Sequence, residues 1–365
     1  GIEQEVAGYS VWKPGATFSF DADDRMSFLF GEVRGARTPY SYNVPRDRLD
    51  GSIRDAAVRA GARFVPHHGR VERAAERGGA EPTGSEGDRV RLTDESLAAA
   101  GLEAQPDFIV DAAGRTRLLG RLLDLPVVEG KRRDMALHAH LEGVPLAFEG
   151  HVHTDLLEHG WCWRIPLPSC VSVGLVIDAA VLREFGAGPE EQFDAYLRHD
   201  RHLRDWGVTA KRISPVVKYT NYQACHTRGV GENWALLGDA FGFVDPVFSS
   251  GMLVGLDAAQ ELARVLVAGA SRERLARYEA HVQHHLANWH RIADYFYDGR
   301  LFTLLKLGEK KATEFPWRFV DPHFQKHLPR VFTGESTTRR YSVGLLDFMV
   351  RWALTGNDPK PLAVR

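Results

Sequence analysis

The sequence has only three cysteines in 365 residues, Cys162, Cys170 and Cys225, and they are widely spaced and odd in number. This spacing predicts neither a disulfide framework nor a zinc site, and it favours a reducing, cytoplasmic compartment. An excess of positive charge is also missing, because 46 lysines and arginines stand against 48 acidic residues. We therefore expect no nucleic-acid partner. No apolar run reaches the roughly 18 residues of a membrane helix, so we expect no membrane association.

A glycine-rich nucleotide turn is missing as well. The chain contains 35 glycines but no strand–Gly-x-Gly-x-x-Gly–helix unit, the turn that holds a dinucleotide pyrophosphate. Gly31, Gly35 and Gly174 belong to no such pattern. The chain opens at Gly1 without methionine and reaches strand-like sequence almost at once. We expect that it starts inside a domain.

What is present suits a soluble globular protein with two or three cores, since 44% of residues are apolar and 26% are charged. Alternation and helical periodicity divide the chain into elements. Strands are predicted in 11–45, 61–65, 107–115, 137–153 and 161–177, a surface hairpin or flexible excursion in 73–100, and helices in 45–60, 180–206, 249–268, 271–298 and 343–354. This order predicts an α/β ligand domain with a second, antiparallel-sheet domain inserted into it.

The most informative segment is 237–251. An apolar strand, 234–237, leads to Asp239 between small residues, then to an Asp245-Pro246 turn, and finally to Ser249-Ser250-Gly251 at the start of a helix. A helix start offers unpaired N–H groups and a positive dipole end, which suit an anion or an electron-rich ring edge. Asp239 can accept hydrogen bonds from sugar-like hydroxyls, although a plain turn residue is the alternative.

Two signatures resemble those of the flavin-dependent halogenases, within the FAD monooxygenases of the hydroxybenzoate-hydroxylase type. Trp161-Cys162-Trp163-Arg164-Ile165-Pro166 matches W-x-W-x-I-P, and Phe243-x-x-Pro246-x-x-Ser249-x-Gly251 matches F-x-x-P-x-x-S-x-G directly after Gly238-Asp239. The similarity runs from Lys13 to about Arg300. The resemblance implies an α/β fold, with an FAD-binding domain, an inserted antiparallel-sheet substrate domain and a helical C-terminal region. It would place the missing glycine unit upstream of Gly1.

The resemblance also implies a division of the chain. Residues 1–45 would supply strands of the substrate side, 46–122 and 229–268 the FAD-binding domain, 123–228 the antiparallel-sheet substrate domain, and 269–365 the helical region. The segments that match the family near its flavin give these expected FAD-binding residues: Arg46, Asp111, Gly114, Gly238, Asp239, Pro246 and Gly251.

The chemistry implied by the resemblance is halogenation. Reduced FAD from a separate flavin reductase, O₂ and chloride or bromide would yield hypohalous acid. Lys13, in Lys13-Pro14-Gly15-Ala16-Thr17-Phe18, matches K-x-G-A-x-F and would aim the halogen at an aromatic ring. Ser250 and Gly251 would bind the halide through backbone N–H groups, and Trp161 and Trp163 would separate the flavin from the substrate. The residue types alone leave open a solvated surface lysine and a core-packing tryptophan pair.

Phe248 stands where tryptophan-specific relatives carry a catalytic glutamate. The resemblance therefore implies a phenol or pyrrole substrate, which is already activated, either free or tethered to a carrier protein, in secondary metabolism such as antibiotic biosynthesis. Two alternatives stay open. The chain could be an FAD-dependent aromatic hydroxylase or oxidoreductase of the same fold, or a non-catalytic flavoprotein scaffold.

Histidine pairs raise the question of a metal. His138-x-His140 and His151-x-His153 could gather four imidazoles on adjacent strands, and His281 and His285 stand four apart on a predicted helix. No carboxylate or cysteine completes a recognisable spacing, and no glutamate follows His281 as in zinc proteases. We therefore predict no metal site.

Overall fold

The computed structural model describes residues 1–21, 24–74, 88–130, 132–220, 223–311, 327, 329–352, 354 and 359–362. The chain forms two compact units. Unit 1 consists of residues 1–62, 131–221 and 294–365, and unit 2 of residues 63–130 and 222–293. The units change at residues 62, 130, 221 and 293, whereas the predicted domains change at 45, 122, 228 and 268. The predicted domain scheme stays a prediction.

The helices contain most of the segments expected from periodicity. They are α1 Glu3–Ala7, α2 Arg46–Arg59, α3 Asp94–Ala99, α4 Leu118–Leu122, α5 Ala179–Leu182, α6 Pro189–His199, α7 Arg204–Gly207, α8 Gly251–Val267, α9 Arg272–Tyr297, α10 Arg300–Lys311 and α11 Arg340–Trp352. None of these described helices is long and apolar enough to cross a membrane.

The strands are β1 Val11–Lys13, β2 Gly15–Ser19, β3 Arg25–Leu29, β4 Ser41–Asn43, β5 Val71–Arg73, β6 Val90–Leu92, β7 Ile109–Asp111, β8 Val127–Glu129, β9 Asp134–Glu142, β10 Val152–Leu157, β11 Gly160–Pro166, β12 Val171–Asp178, β13 Lys211–Arg212, β14 Val217–Thr220, β15 Ala224–His226 and β16 Trp234–Leu236.

Unit 1 is built on an eight-stranded sheet in the order β13-β9-β12-β11-β10-β2-β3, with β14 also paired to β9. All pairs are antiparallel except β10 with β2. Because neighbouring residues of a strand point to opposite faces, Cys162 and its paired residue Leu175 face a core closed by Phe193, Tyr196 and Trp206 of α6 and α7. Trp161 and Trp163 therefore lie on the other face.

Unit 2 contains two-stranded pairings. β7 and β16 run parallel, with Asp111 opposite Leu236, while β8 pairs with β15 and β5 with β6 in antiparallel fashion. The helices α8 and the first part of α9 belong to this unit. The parallel pair β7–β16 brings two strand ends to one edge, where α/β folds bind ligands.

Two predicted elements are wrong. Residues 61–65 form no strand, because Phe64-Val65 is followed by Pro66, which cannot donate to a sheet. The single helix predicted over 180–206 is broken into α5, α6 and α7, since Gly186 has φ +137° and Pro189 starts a new helix. The helix predicted over 45–60 is α2, and its buried residues are Leu49 and Ser52.

Two other predicted segments lie partly outside the described residues. Within the strand segment predicted at 11–45, β2 and β3 pair in antiparallel fashion, and residues 22 and 23 between them lie outside the described part. The 73–100 segment contains β6 and α3, and β5 ends at its first residue. Residues 75–87 of that segment also lie outside the described part.

Candidate functional site

The predicted site residues divide between the two units. Unit 1 holds Lys13, Arg46, Trp161 and Trp163; unit 2 holds Asp111, Gly114, Gly238, Asp239, Pro246, Ser250 and Gly251. Within unit 2 the turns Gly114–Thr116 and Gly238–Ala240 lie in contact, so the structure brings the first four of those residues together.

The first part of the unit 2 site is the turn after β16. The Leu237 N–H donates to the Asp111 carbonyl at 2.9 Å, which continues the parallel pairing of β16 with β7. Gly238 then takes φ +60°, a conformation that favours glycine. A Cβ atom at Gly238 would lie 3.9 Å from the Gly255 Cα, so the turn can approach α8 closely. Asp239 is half-buried at this strand end.

Asp111 acts on its own loop. Its buried carboxylate accepts from the Ala113 N–H at 2.9 Å through Oδ1 and from the Leu119 N–H at 2.7 Å through Oδ2. These bonds shape the loop that carries Gly114, which has φ +63° and no atom within 4 Å of a Cβ position. Asp111 therefore positions this loop, and its predicted cofactor contact stays a prediction.

The second part of the unit 2 site is the Pro246–Gly251 turn. The Asp245 carboxylate accepts from the Val247 N–H at 3.0 Å, and Pro246–Phe248 forms a 3₁₀ turn. Ser249 follows with φ +55°, an unfavourable conformation for a residue with a side chain. The chain reverses there and enters α8.

Ser250 is the N-cap residue of α8 but does not cap it. Its backbone is at φ −80°, ψ −12°, and its hydroxyl accepts nothing from the first turn. The residue is 3% exposed, and its Oγ has no hydrogen-bond partner among the described residues. The first N–H groups of any helix lack intrahelical acceptors. An unpartnered buried hydroxyl at the positive end of a 17-residue helix can hold a small anion.

In unit 1, Lys13 ends β1 opposite Ser41 of β4. Its Nζ lies 5.6 Å from the centre of the Phe30 ring, and among the described residues it forms no ion pair or hydrogen bond. Burial lowers the pKa of Lys13 from 10.5 to about 8. With that pKa, about one amine in ten is neutral at pH 7, against a negligible fraction for an exposed lysine. The structure therefore does not support a solvated surface lysine.

Two glycines hold the backbone around Lys13. A Cβ atom at Gly15 would lie 2.0 Å from the Phe28 carbonyl and 2.9 Å from the His151 ring. Gly150 has φ +73°, and a Cβ atom there would lie 2.2 Å from the Trp12 carbonyl. Both positions require glycine for the close approach of neighbouring backbone.

Trp161 and Trp163 share one sheet face, as predicted, with ring centres 5.7 Å apart. Trp161 is 1% exposed, and its Nε1 donates to the Tyr297 Oη at 2.8 Å. Trp163 is half-buried and donates to Ser172 Oγ at 3.3 Å. A Cβ atom at Gly174 would lie 2.0 Å from the Trp163 ring, so the ring covers that glycine. Both indoles are fixed by hydrogen bonds.

Arg46 occupies an exposed position in the first turn of α2. Its guanidinium forms an i,i+4 ion pair with Asp50, with Nε 3.2 Å from Oδ1. Exposed pairs of this kind contribute little to stability. The structure therefore leaves the predicted flavin contact of Arg46 as a prediction.

Three of the four histidines of segment 137–153 have side-chain contacts within unit 1. His153 Nε2 accepts from the N–H groups of Ala147 at 3.2 Å and Phe148 at 3.4 Å, so its Nδ1 donates to the His151 carbonyl. Burial lowers the pKa of His153 to about 4. His151 bonds to Thr17, and His138 stacks on Tyr219. Within the described residues these imidazoles form no metal cluster.

Sequence reasoning missed three partners of the site residues: Phe30, Tyr297 and Ser172. Each meets a predicted residue only through the fold. Tyr297, for example, lies 136 positions from Trp161. No local pattern in the sequence marks them.

The geometry can be set beside known proteins. A family model described as tryptophan halogenase matches residues 23–300. A Pseudomonas fluorescens chlorinase of pyrrole-2-carbonyl groups on a peptidyl-carrier protein is 25% identical over 224 residues, 56% of this chain and 49% of that protein. The chain spans about half the length of the curated relatives it matches.

Solved structures give the same fold. The myxobacterial chondrochloren halogenase CndH, an FAD-dependent halogenase, has a TM-score of 0.66 and 26% identity over 81% of this chain and 69% of that one. A flavoprotein/dehydrogenase from Cytophaga hutchinsonii has a TM-score of 0.75 at 19% identity, over 97% of this chain and 86% of that one. The predicted α/β flavoprotein fold is confirmed.

Proposed function

Because the chain belongs to the tryptophan halogenase family, we propose that it acts in a flavin-dependent halogenase that chlorinates or brominates an electron-rich aromatic compound. The observation that carries the proposal is the environment of Lys13. An ammonium group placed beside an aromatic ring, without a counter-ion among the described residues and with a pKa of about 8, suits an amine that handles an electrophilic halogen.

Unit 2 offers residues that fit FAD. Gly114 leaves open space after β7, and Gly238 turns the chain after β16 with φ +60°. We assign flavin contacts to these residues, to Asp239 as an acceptor for hydroxyls, and to Pro246 and Gly251. Reduced FAD, when bound, would supply the electrons that activate O₂.

Ser250 and Gly251 bind the halide in this proposal. The halide would receive hydrogen bonds from the Ser250 hydroxyl and from the first N–H groups of α8, at the positive end of the helix dipole. Neutral hydrogen-bond donors suit chloride and bromide, since they bind an anion without neutralising it.

Lys13 then handles hypohalous acid in one of two ways. The ammonium donates a hydrogen bond that polarises the oxidant. Alternatively, the neutral amine attacks the halogen: an N–halogen bond forms, the oxygen–halogen bond breaks, and the departing hydroxide takes the amine proton as water. Trp161 and Trp163, fixed by Tyr297 and Ser172, would keep the aromatic substrate away from the flavin.

The substrate class follows from Phe248 and from a relative. Phe248 provides no base, so the ring must already be activated, as phenols and pyrroles are. The Pseudomonas relative named above acts on a pyrrole group carried by a peptidyl-carrier protein. We therefore propose a phenol or pyrrole, free or carrier-tethered, with a flavin reductase as the partner that supplies reduced FAD.

The test is product analysis of the intact gene product with a reductase, FAD, O₂ and candidate phenols and carrier-bound pyrroles. We expect a mass increase of one halogen only when halide is present. The Lys13→Met variant should lose at least about 100-fold of that product while flavin binding and oxidation of reduced flavin stay at the parent level. The control is Lys218→Met, at an exposed lysine of β14.

Three outcomes would contradict the proposal. A hydroxylated product that forms regardless of halide would establish the hydroxylase alternative. A protein that binds no flavin would rule out flavin chemistry and leave a non-catalytic scaffold. Full chlorination by Lys13→Met would remove the role of the lysine.

A further inference from the structure

One cluster of titratable groups in unit 2 has no part in the proposed chemistry. α8 and α9 bring together Asp257, His281 and His285. The Asp257 Oδ2 atom lies 2.6 Å from His281 Nε2 and 3.2 Å from His285 Nδ1. A carboxylate with two imidazoles is also the composition of many metal sites.

The contact of Trp289 with His285 distinguishes a hydrogen-bonded cluster from a metal site. Its indole Nε1 lies 3.2 Å from His285 Nε2, and an indole N–H can only donate. His285 Nε2 therefore accepts, so the neutral ring carries its proton on Nδ1 and donates it to Asp257. A metal ion would need the lone pair of that same Nδ1. Metal-bound imidazoles usually donate from their second nitrogen, whereas here that nitrogen accepts.

The environment of His285 agrees with a neutral ring. The residue is buried, and burial is the first cause that lowers its pKa, ahead of the opposing attraction of Asp257. His281 and His284 also face it with a small lowering effect. A neutral imidazole with both nitrogens bonded is a rigid connector between a carboxylate and an indole.

The series ends at the Pro246–Gly251 turn. Trp289 is 1% exposed, and its ring centre lies 6.0 Å from that of Phe248, at a tilt of 34°. That separation is typical of interacting aromatic pairs. Phe248 closes the 3₁₀ turn two residues before Ser250. The orientation of the Trp289 ring therefore bears directly on the turn.

We propose that Asp257, His285 and Trp289 form a hydrogen-bonded series that positions Phe248 and, with it, the Ser249–Gly251 turn. Trp289 is a positioning residue, and the inference rests on the proposed function for its effect on halide. The hydrogen bond from Trp289 Nε1 to His285 fixes the rotation of the indole. The indole supports the Phe248 ring, and Phe248 sets the backbone of the Ser249–Gly251 turn. Without that bond the ring can turn and the strained Ser249 conformation loses support.

The first test measures the turn without using activity. Hydrogen–deuterium exchange of peptides covering 246–253 is compared in the parent, Trp289→Phe and His284→Gln. Trp289→Phe keeps an aromatic ring but removes the N–H, and His284→Gln is the control on the same helix. We expect faster exchange of the turn in Trp289→Phe only. Equal exchange in parent and Trp289→Phe would overturn the proposal.

The second test separates positioning from stability. Trp289→Phe should raise the KM for bromide about fivefold or more with a smaller change in kcat. Trp289→Phe leaves the Nε2 acceptor of His285 without its donor. Adding His285→Leu removes that acceptor, so the double variant should be more stable than Trp289→Phe while its bromide KM stays high. Recovery of both the stability and the bromide KM in the double variant would mean a structural role only.

Two further results decide the remaining questions. Zinc retained at one equivalent after dialysis by the parent, and lost in Asp257→Asn, would replace the hydrogen-bonded series with a metal site. If the parent yields no halogenated product, the proposed function fails, while the exchange experiment still tests whether the series positions the turn.

Discussion

Lys13 should make the folded protein less stable than a neutral residue at the same place. Its pKa is 10.5 in the unfolded chain and about 8 in the folded protein, a difference of 10.5 − 8 = 2.5. At about 1.36 kcal/mol for each unit of pKa, the full difference is about 3.4 kcal/mol. Because the residue is half-buried and solvent relieves part of this cost, we expect Lys13→Met to stabilise the protein by about 1–3 kcal/mol at pH 7.

The stabilisation expected for Lys13→Met depends on pH. Below pH 8 the amine is protonated in both states, and the folded state bears the whole desolvation cost. Between pH 8 and 10.5 the folded amine loses its proton while the unfolded one keeps it, so the stability of the parent rises with pH. The advantage of Lys13→Met is therefore complete at pH 7 and mostly gone by pH 10.

The assay is denaturant unfolding of the parent, Lys13→Met and Lys218→Met at pH 7 and pH 10. Apart from the two substituted lysines, the groups that titrate over this range are shared by all three proteins and cancel in the differences. Lys218→Met should change stability little at either pH, since its side chain is exposed. A Lys13→Met variant that is no more stable than the parent at pH 7, or equally stabilised at both pH values, would refute the reasoning.

Three further changes probe the contacts of the site. Tyr297→Phe removes the acceptor of the buried Trp161 N–H and should destabilise by about 1–3 kcal/mol; halogenated product per flavin oxidised should fall, and adding Trp161→Phe should restore stability. Gly174→Val places atoms where the Trp163 ring lies and should cost about 1–3 kcal/mol in unfolding experiments; an unchanged midpoint would contradict that contact. Ser250→Ala should leave stability unchanged or raise it by up to about 1 kcal/mol while the halide KM rises, whereas a working N-cap would lose about 1 kcal/mol.

Local patterns predicted much of the fold. The apolar strand before Gly238 and the helix after Ser250 are β16 and α8, and the predicted helix 271–298 is α9 within one residue at each end. These elements depend on residues close in sequence, such as the small residues and the proline of the turn. The sequence pattern therefore predicted the strand and the helix at the two ends of segment 237–251.

Errors arose where chain breakers competed with an apolar pattern. Apolar residues occur on both sides of Gly186 and Gly188, and this pattern favours one helix over 180–206. Pro189, however, can only begin a helix, so the chain is divided there. Pro66 likewise ended the strand expected at 61–65. In both places the sequence carried the signal, and backbone sterics outweighed periodicity.

Contacts between distant residues could not be predicted from patterns. Trp161 illustrates this, since 136 positions separate its indole N–H from the Tyr297 hydroxyl that accepts the hydrogen bond. The lowered pKa of Lys13 is similar, because it depends on burial, which sequence spacing does not contain.

Locally unfavourable features strengthen the assignment of the site where they coincide. Buried polar atoms without partners among the described residues also occur at Ser10, Gln192 and His226, so such an atom alone does not identify a function. Ser250 differs because it starts a helix that it does not cap and follows Ser249, whose φ is +55°. Stability alone would favour a capping side chain and a relaxed backbone at this point. In the proposed function this is where the halide binds, which makes the halide titration of Ser250→Ala the most direct measurement on unit 2.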